Sequence, residues 1–228
     1  MSIVENYNKI RRDIDDIAVA AGKNPGDIRI IAVCKTFPGT VVQEAIDSGI
    51  RLFGENKVQE AKRKIPDLRG DFSFHMIGHL QSNKARDAVA LFDVIHSIDR
   101  AGTAEKVNDE AGKAGKRQKV LIQVNISGEL TKSGISSGEH RELARSVIAL
   151  PHLELLGLMT MAPFTDDENA IRSAFRGARE LLSDLNASLG LNLRELSMGM
   201  SSDYRFAAEE GATMVRVGTA IFGERTYE

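Results

Sequence analysis

Lys35 closes the apolar run IRIIAVCKTFP, residues 28–38, and a lysine in that place asks for a chemical reason. An ammonium group is costly to desolvate and ordinarily stays on the wet face of a strand. Two readings stand side by side: Lys35 is the first solvated residue of a loop, or its amine is used. In a partly desolvated pocket near another cation an amine has a lowered pKa and attacks aldehydes and ketones, forming a Schiff base. Cys34, the single cysteine, precedes it, and alternation along a strand sends the two side chains to opposite faces. Cys34 therefore reads as a small buried hydrophobe. One cysteine allows no intrachain disulfide, which fits a reducing, cytoplasmic location.

Other polar groups recur in the same way, each just after an apolar run: Glu55 and Asn56 in FGEN, Gly78 and His79 in MIGH, Asn125 and Ser127 in VNIS, and Thr160 and Met161 in LMTM. Met200 and Ser201 in SMGMSSD and Arg216, Gly218 and Thr219 in VRVGT complete the series. The runs that must position them read as eight strands near 28–34, 51–54, 73–77, 93–97, 119–125, 153–160, 194–198 and 214–217. Helical patterns such as TVVQEAIDSG and ENAIRSAFRGARELLSDLNASLG lie between them. Strands separated by helices pair in parallel through right-handed crossovers, and eight such units suit a closed (β/α)8 TIM barrel filling residues 1–228 as a single domain. An open doubly wound sheet is the alternative. An extra N-terminal helix opens at Ser2, places Ile3, Tyr7, Ile10, Ile14, Ile17 and Ala21 on one face, and ends at Gly22.

If the barrel closes, the polar groups gather on the rim at the carboxyl ends of the strands, where this fold keeps its functional sites. GMSSD and VGTAIFG follow the seventh and eighth strands, where barrels frequently hold a phosphate, and their small residues, hydroxyls and backbone N–H groups suit an anion. Gly and Ser also simply make turns. Lys35, across the mouth from such a cradle, is placed to bond a phosphorylated aldehyde or ketone.

The 228 residues carry 30 Lys and Arg against 32 Asp and Glu, a net charge of −2. That balance gives no sign of a nucleic-acid or anionic-membrane binder. Basic clusters such as KVQEAKRK, residues 57–64, are interrupted by acids and read as a solvated helix face. Neither a signal-type apolar stretch nor a run long enough to span a bilayer occurs. HMIGH has two histidines four apart but lacks the glutamate beside the first that a metalloprotease helix needs, so no metal site is expected. His96, His140 and His152 show no grouping that suggests ligands or a triad.

AVCKTFP, FGENKVQE, FHMIGHLQSNK, VNISGELTKSGI, GLMTMAP, LSMGMSSDY and VRVGTAIFG resemble, in order and over nearly the whole chain, the signatures of the pyridoxal-phosphate homeostasis protein family. Those single-domain barrels are related to the N-terminal barrel of alanine racemase. The resemblance implies a protein that binds pyridoxal 5'-phosphate (PLP), held as an internal aldimine on Lys35, and serves vitamin B6 homeostasis by carrying or buffering the cofactor. It puts the phosphate on Ser201, Gly218 and Thr219 with Met200 adjoining, Asn56 and His79 on the rim near the ring, and Arg216 opposite the pyridine nitrogen. Without the resemblance, Arg216 reads as a strand-end cation paired with a carboxylate such as Glu55.

Racemisation needs a second acid/base on the face opposite the lysine, which in the related racemases is a tyrosine from the partner's additional domain. This chain has only Tyr7, Tyr204 and Tyr227, and of these Tyr204 follows the proposed phosphate loop. No efficient catalysis is expected; a PLP-dependent racemase-like enzyme and a class I aldolase are the alternatives. PLP-dependent apo-enzymes are the expected recipients, Lys132 is a candidate secondary amine, and a monomer is expected, with no nucleic-acid or membrane partner.

Overall fold

In the computed structural model, which describes residues 2–129 and 133–223, eight parallel strands close on themselves. They are β1 (Arg29–Val33), β2 (Leu52–Glu55), β3 (Ser73–Met76), β4 (Val94–Ile98), β5 (Gln118–Asn125), β6 (Leu153–Met159), β7 (Glu195–Ser197) and β8 (Met214–Val217). Neighbours in sequence are neighbours in space, and β1 also pairs with β8, aligning Ile31 with Arg216. That last ladder makes the structure a (β/α)8 barrel and removes the open sheet from consideration. Each strand lies within about a residue or two of the range expected from sequence. The loop after β5 adds a two-residue parallel bridge, Ile135–Ser136 beside Val124–Asn125. Lys132 and Tyr227 lie outside the described residues.

Strand alternation divides the apolar residues into two sets. Ile31, Val33, Val94, Leu121, Met159 and Met214 form a cluster inside the barrel. Ile30, Ala32, Cys34, Phe53, Phe74, Ile95, Val215 and Val217 belong to a larger layer between strands and helices. Lys35 is in phase with Ile31 and Val33, so it stands at the top of the interior stack, while Cys34 faces the helices.

Helix α1 (Ile3–Ala20) starts with the reciprocal cap that Ser2 predicts: its hydroxyl accepts from the Glu5 N–H while the Glu5 carboxylate accepts from the Ser2 N–H. Ile10, Ile14 and Ala18 are its buried face. The chain then runs through α2 (Gly39–Asp47), α3 (Val58–Lys64), α4 (Ala85–Leu91), α5 (Ala101–Lys113), α6 (His140–Ile148), α7 (Glu168–Leu189), α8 (Tyr204–Glu209) and a single turn, α9 (Thr219–Phe222). Because α9 is too short to cover β8, α1 packs against both α8 and α9 and completes the helical ring. Among the described residues no helix is long and apolar enough to cross a membrane.

Candidate functional site

The turn after β1 is what presents Lys35. Its backbone is held on three sides: the Cys34 N–H donates to the Gly54 carbonyl at 3.0 Å, the Phe37 N–H to the Cys34 carbonyl at 3.2 Å, and the Thr36 N–H to Glu60 Oε2 at 2.9 Å. Thr36 takes φ 69°, a left-handed conformation costly for a β-branched residue. The surrounding bonds therefore over-determine the direction in which Lys35, half-buried, leaves the strand.

Beneath this turn lies a pair that sequence reasoning missed. Lys64 Nζ donates to Glu55 Oε1 at 2.7 Å and to the Cys34 carbonyl at 2.8 Å, and both side chains are buried. Glu55 Oε2 in turn accepts from the Asn56 N–H at 2.9 Å. One ion pair thus braces the backbone of both rim residues, Lys35 and Asn56. Burial pushes the Glu55 carboxyl up, while the donated hydrogen bond and charge of Lys64 pull it back. The expectation that Glu55 belongs to the polar rim is corrected: its side chain faces the helical layer. So is the reading of KVQEAKRK as wholly solvated, since Val58, Ala61 and Lys64 form one buried face of α3. That spacing of three was the available signal. On the same outer face, burial pushes the Cys34 thiol up to about 12, which leaves it unreactive.

The mouth holds a cavity of about 370 Å³ lined by Lys35, Asn56, Ile77, Met161, Met200, Ser201, Arg216, Gly218 and Thr219 among others. No acidic side chain is among its described lining residues. Ser201 Oγ accepts from the Gly218 N–H at 3.3 Å, tying the loops after β7 and β8 together, and Asp203 Oδ1 accepts from the Met200 N–H at 2.5 Å. Gly199, at φ 90°, permits that loop: a Cβ there would sit 2.5 Å from Ala207 Cβ. Seven of the eight residues expected from sequence meet at this cavity. His79 stands one depression away, sharing its wall with Asn56 and contacting Asp99 Oδ2 at 3.2 Å and Arg100 Nη2 at 3.1 Å.

Arg216 is 5% exposed. Its Nη1 donates to Ser197 Oγ at 2.8 Å and its Nη2 to the Thr160 carbonyl at 2.9 Å. Burial lowers the guanidinium to about 10, which leaves it charged at neutral pH. The Glu55 partner considered from sequence is committed to Lys64 instead. Asn125 shapes its own loop, its amide donating to the Glu129 carbonyl at 2.8 Å and its Oδ1 accepting from Ser127 and Gly128. Tyr204 turns away from the mouth and donates to Asp13 Oδ2 of α1 at 2.9 Å. Among the described residues no cluster suits a metal ion.

Behind Arg216 two histidines meet that sequence left ungrouped. His96 Nδ1 lies 2.9 Å from Ser197 Oγ, and His96 Nε2 lies 2.9 Å from His75 Nδ1. Burial lowers His75 from 6.5 to about 4 and His96 well below its ordinary value. Below about pH 6.5 the unfolded chain takes up protons that the folded chain refuses, so stability falls as pH drops; the His75 part of the loss is complete near pH 4, while the His96 part continues below it. His75 alone accounts for about 3 kcal/mol of that loss, with His96 acting in the same direction. Urea denaturation at a series of pH values should show a flatter acid limb in His75→Gln; an unchanged limb would contradict the assignment.

The family described as "Alanine racemase, N-terminal domain" matches residues 6–226. Over 228 residues, all of each chain, the sequence is 38% identical to the pyridoxal phosphate homeostasis protein of Aquifex aeolicus. It is 43% identical over 227 residues to the protein of that name from Pseudomonas aeruginosa, covering 99% of this chain and 97% of the relative. The solved structure of PipY from Synechococcus elongatus with PLP bound superposes with a TM-score of 0.87 at 37% identity, covering 97% of this chain and 100% of PipY.

Proposed function

Because the chain belongs to the alanine racemase N-terminal domain family and, by full-length likeness, to its pyridoxal phosphate homeostasis proteins, we propose that it binds PLP in the barrel mouth and carries or buffers it for vitamin B6 homeostasis. The observation that carries this reading is one cavity onto which an amine, a guanidinium and a hydroxyl–amide cradle converge, with no acid among its described lining residues. That donor set fits a small phosphorylated aldehyde. Bound PLP would supply an aldehyde carbon open to attack by an amine and a ring able to withdraw electrons.

Lys35 Nζ would be the amine that bonds this carbon, the aldehyde oxygen leaving as water. The Ser201 and Thr219 hydroxyls and the backbone of Gly218 and Thr219 hold the phosphate, with Met200 beside them. Asn56 would line the ring, with His79 at the outer rim. Arg216 would face the pyridine nitrogen and, being a donor only, would leave that nitrogen unprotonated. The ring is then a weak electron sink, so the site favours holding the cofactor over turning it over. Tyr204, bonded to Asp13, gives the face opposite Lys35 no acid/base. On this reading the protein carries PLP as a monomer without efficient catalysis, and PLP-dependent apo-enzymes are its recipients. Sustained alanine racemisation by the pure protein would overturn the non-catalytic part.

Borohydride reduction in the presence of PLP, followed by peptide mass mapping, tests the attachment. Phosphopyridoxyl mass is expected on the Lys35 peptide and absent in Lys35→Ala. Label scattered over surface lysines would overturn the assignment and leave a sugar-phosphate aldolase as the reading to pursue.

A further inference from the structure

The barrel interior is not wholly apolar. Below the mouth, Arg216, Ser197, His96 and His75 are 5%, 0%, 0% and 4% exposed, and their polar atoms form one unbroken line. Arg216 Nη1 is 2.8 Å from Ser197 Oγ, which is 2.9 Å from His96 Nδ1, and His96 Nε2 is 2.9 Å from His75 Nδ1. The line crosses the barrel, since Arg216 is on β8, Ser197 on β7, His96 on β4 and His75 on β3.

Hydrogen-bond chemistry gives this line a direction. A guanidinium has only donors, so Ser197 Oγ must accept from Arg216. The hydroxyl then has one proton left to give. If His96 also donated to it, that proton would have no acceptor among the described residues, and an unmet donor in a fully buried site costs about 1–3 kcal/mol. If Ser197 donates to His96 Nδ1 instead, every contact within the line is satisfied, and the one remaining donor moves to its far end, His75 Nε2, which is not fully buried. His96 must then carry its proton on Nε2 and donate to a bare His75 Nδ1, which places the His75 proton on its own Nε2. Both rings must be neutral for this to hold, and their burial keeps them so.

We propose that Ser197, His96 and His75 are positioning residues for Arg216: a one-way hydrogen-bond line across the barrel, begun by the guanidinium, that fixes the plane in which Arg216 meets its ligand. The Thr160 carbonyl fixes one side of the fork through Nη2, and Ser197 fixes the other. Without the second anchor the guanidinium can swing about the first. The ligand consequence rests on the PLP reading above, but the direction of the line does not, because it is a property of the unloaded protein.

The experiment therefore has two arms. In the first, the full chain labelled with 15N-histidine is observed by NMR without cofactor. His96 and His75 are both expected with bare Nδ1 and protonated Nε2 at neutral pH. A proton on His96 Nδ1 would overturn the proposal whether or not the protein binds PLP. In the second, Ser197→Ala and His96→Phe are titrated with PLP, and bound cofactor is followed by its visible absorption band. Ser197→Ala removes the charge-assisted bond from Arg216 and is expected to weaken binding on the order of tenfold and to shift the band, whereas His96→Phe removes the acceptor that orients the Ser197 hydroxyl and is expected to act in the same direction with a smaller effect. Wild-type affinity and an unmoved band in two folded variants would overturn the positioning role, leaving the line as a packing feature only. Failure of the wild-type chain to bind PLP would instead remove the functional reading and leave the first arm to decide the line's direction.

Discussion

Lys64→Met is expected to destabilise the folded chain by about 3–5 kcal/mol, because it leaves the Glu55 carboxylate buried without its counter-ion. Glu55 is 0% exposed and Lys64 7%, so water cannot take the lysine's place without opening the layer between β2 and α3. The double variant Lys64→Met/Glu55→Leu should recover most of the loss, since replacing both charges with apolar groups removes the desolvation cost along with the attraction. Recovered stability need not mean recovered function. Lys64 also donates to the Cys34 carbonyl and Glu55 accepts from the Asn56 N–H, and the double variant has neither bond. Urea denaturation paired with PLP titration would separate the two roles. The expected result is near-wild-type stability with weakened cofactor retention. A double variant as unstable as Lys64→Met alone would contradict the ion-pair account, and one that retained PLP fully would contradict the bracing of the rim.

Gly157→Ala should have an effect of similar size for a different reason. At β6 the register with β5 slips: Val120 aligns with Leu155, but Leu121 aligns with Gly157, so Leu156 is an inserted residue. Such a bulge bends the strand and brings backbones unusually close. A Cβ on Gly157 would lie 1.9 Å from the Glu195 carbonyl oxygen of β7. Backbone of a three-residue strand, not a flexible side-chain tip, would have to move. The expected cost is about 3 kcal/mol or more, measured as a lowered urea midpoint. Because β7 carries Ser197, the displacement should also disturb Arg216 and weaken PLP binding. Unchanged stability would mean that the strands are not held as closely as this register requires.

What could be read from the chain and what could not divide along the range of the interactions involved. Strand alternation places Cys34 against the helices and Lys35 in the mouth, and two neighbouring residues suffice to see it. The Ser2–Glu5 cap is legible at a spacing of three. By contrast, Glu55 sits next to Asn56 in sequence and was expected beside it on the rim, but a one-residue step along a strand turns a side chain to the other face. Lys64 looked solvated because charges surround it in sequence, although Val58, Ala61 and Lys64 share one side of α3.

The sequence by itself determined the number and order of the strands, the lysine at the end of the first, and the small and hydroxyl-bearing loops after the seventh and eighth. These depend on hydrophobic periodicity and turn chemistry, which act over a few residues. Only the tertiary structure decided who pairs with whom: Lys64 with Glu55, Tyr204 with Asp13, and Arg216 with Ser197, His96 and His75. Tyr204 and Asp13 are 191 positions apart, and Ser197 and His96 are 101 apart. Such contacts leave no local period to read. They exist because closing the barrel brings distant segments together, strands around one interior and α1 beside α8 outside it, where a buried polar group must find its partner.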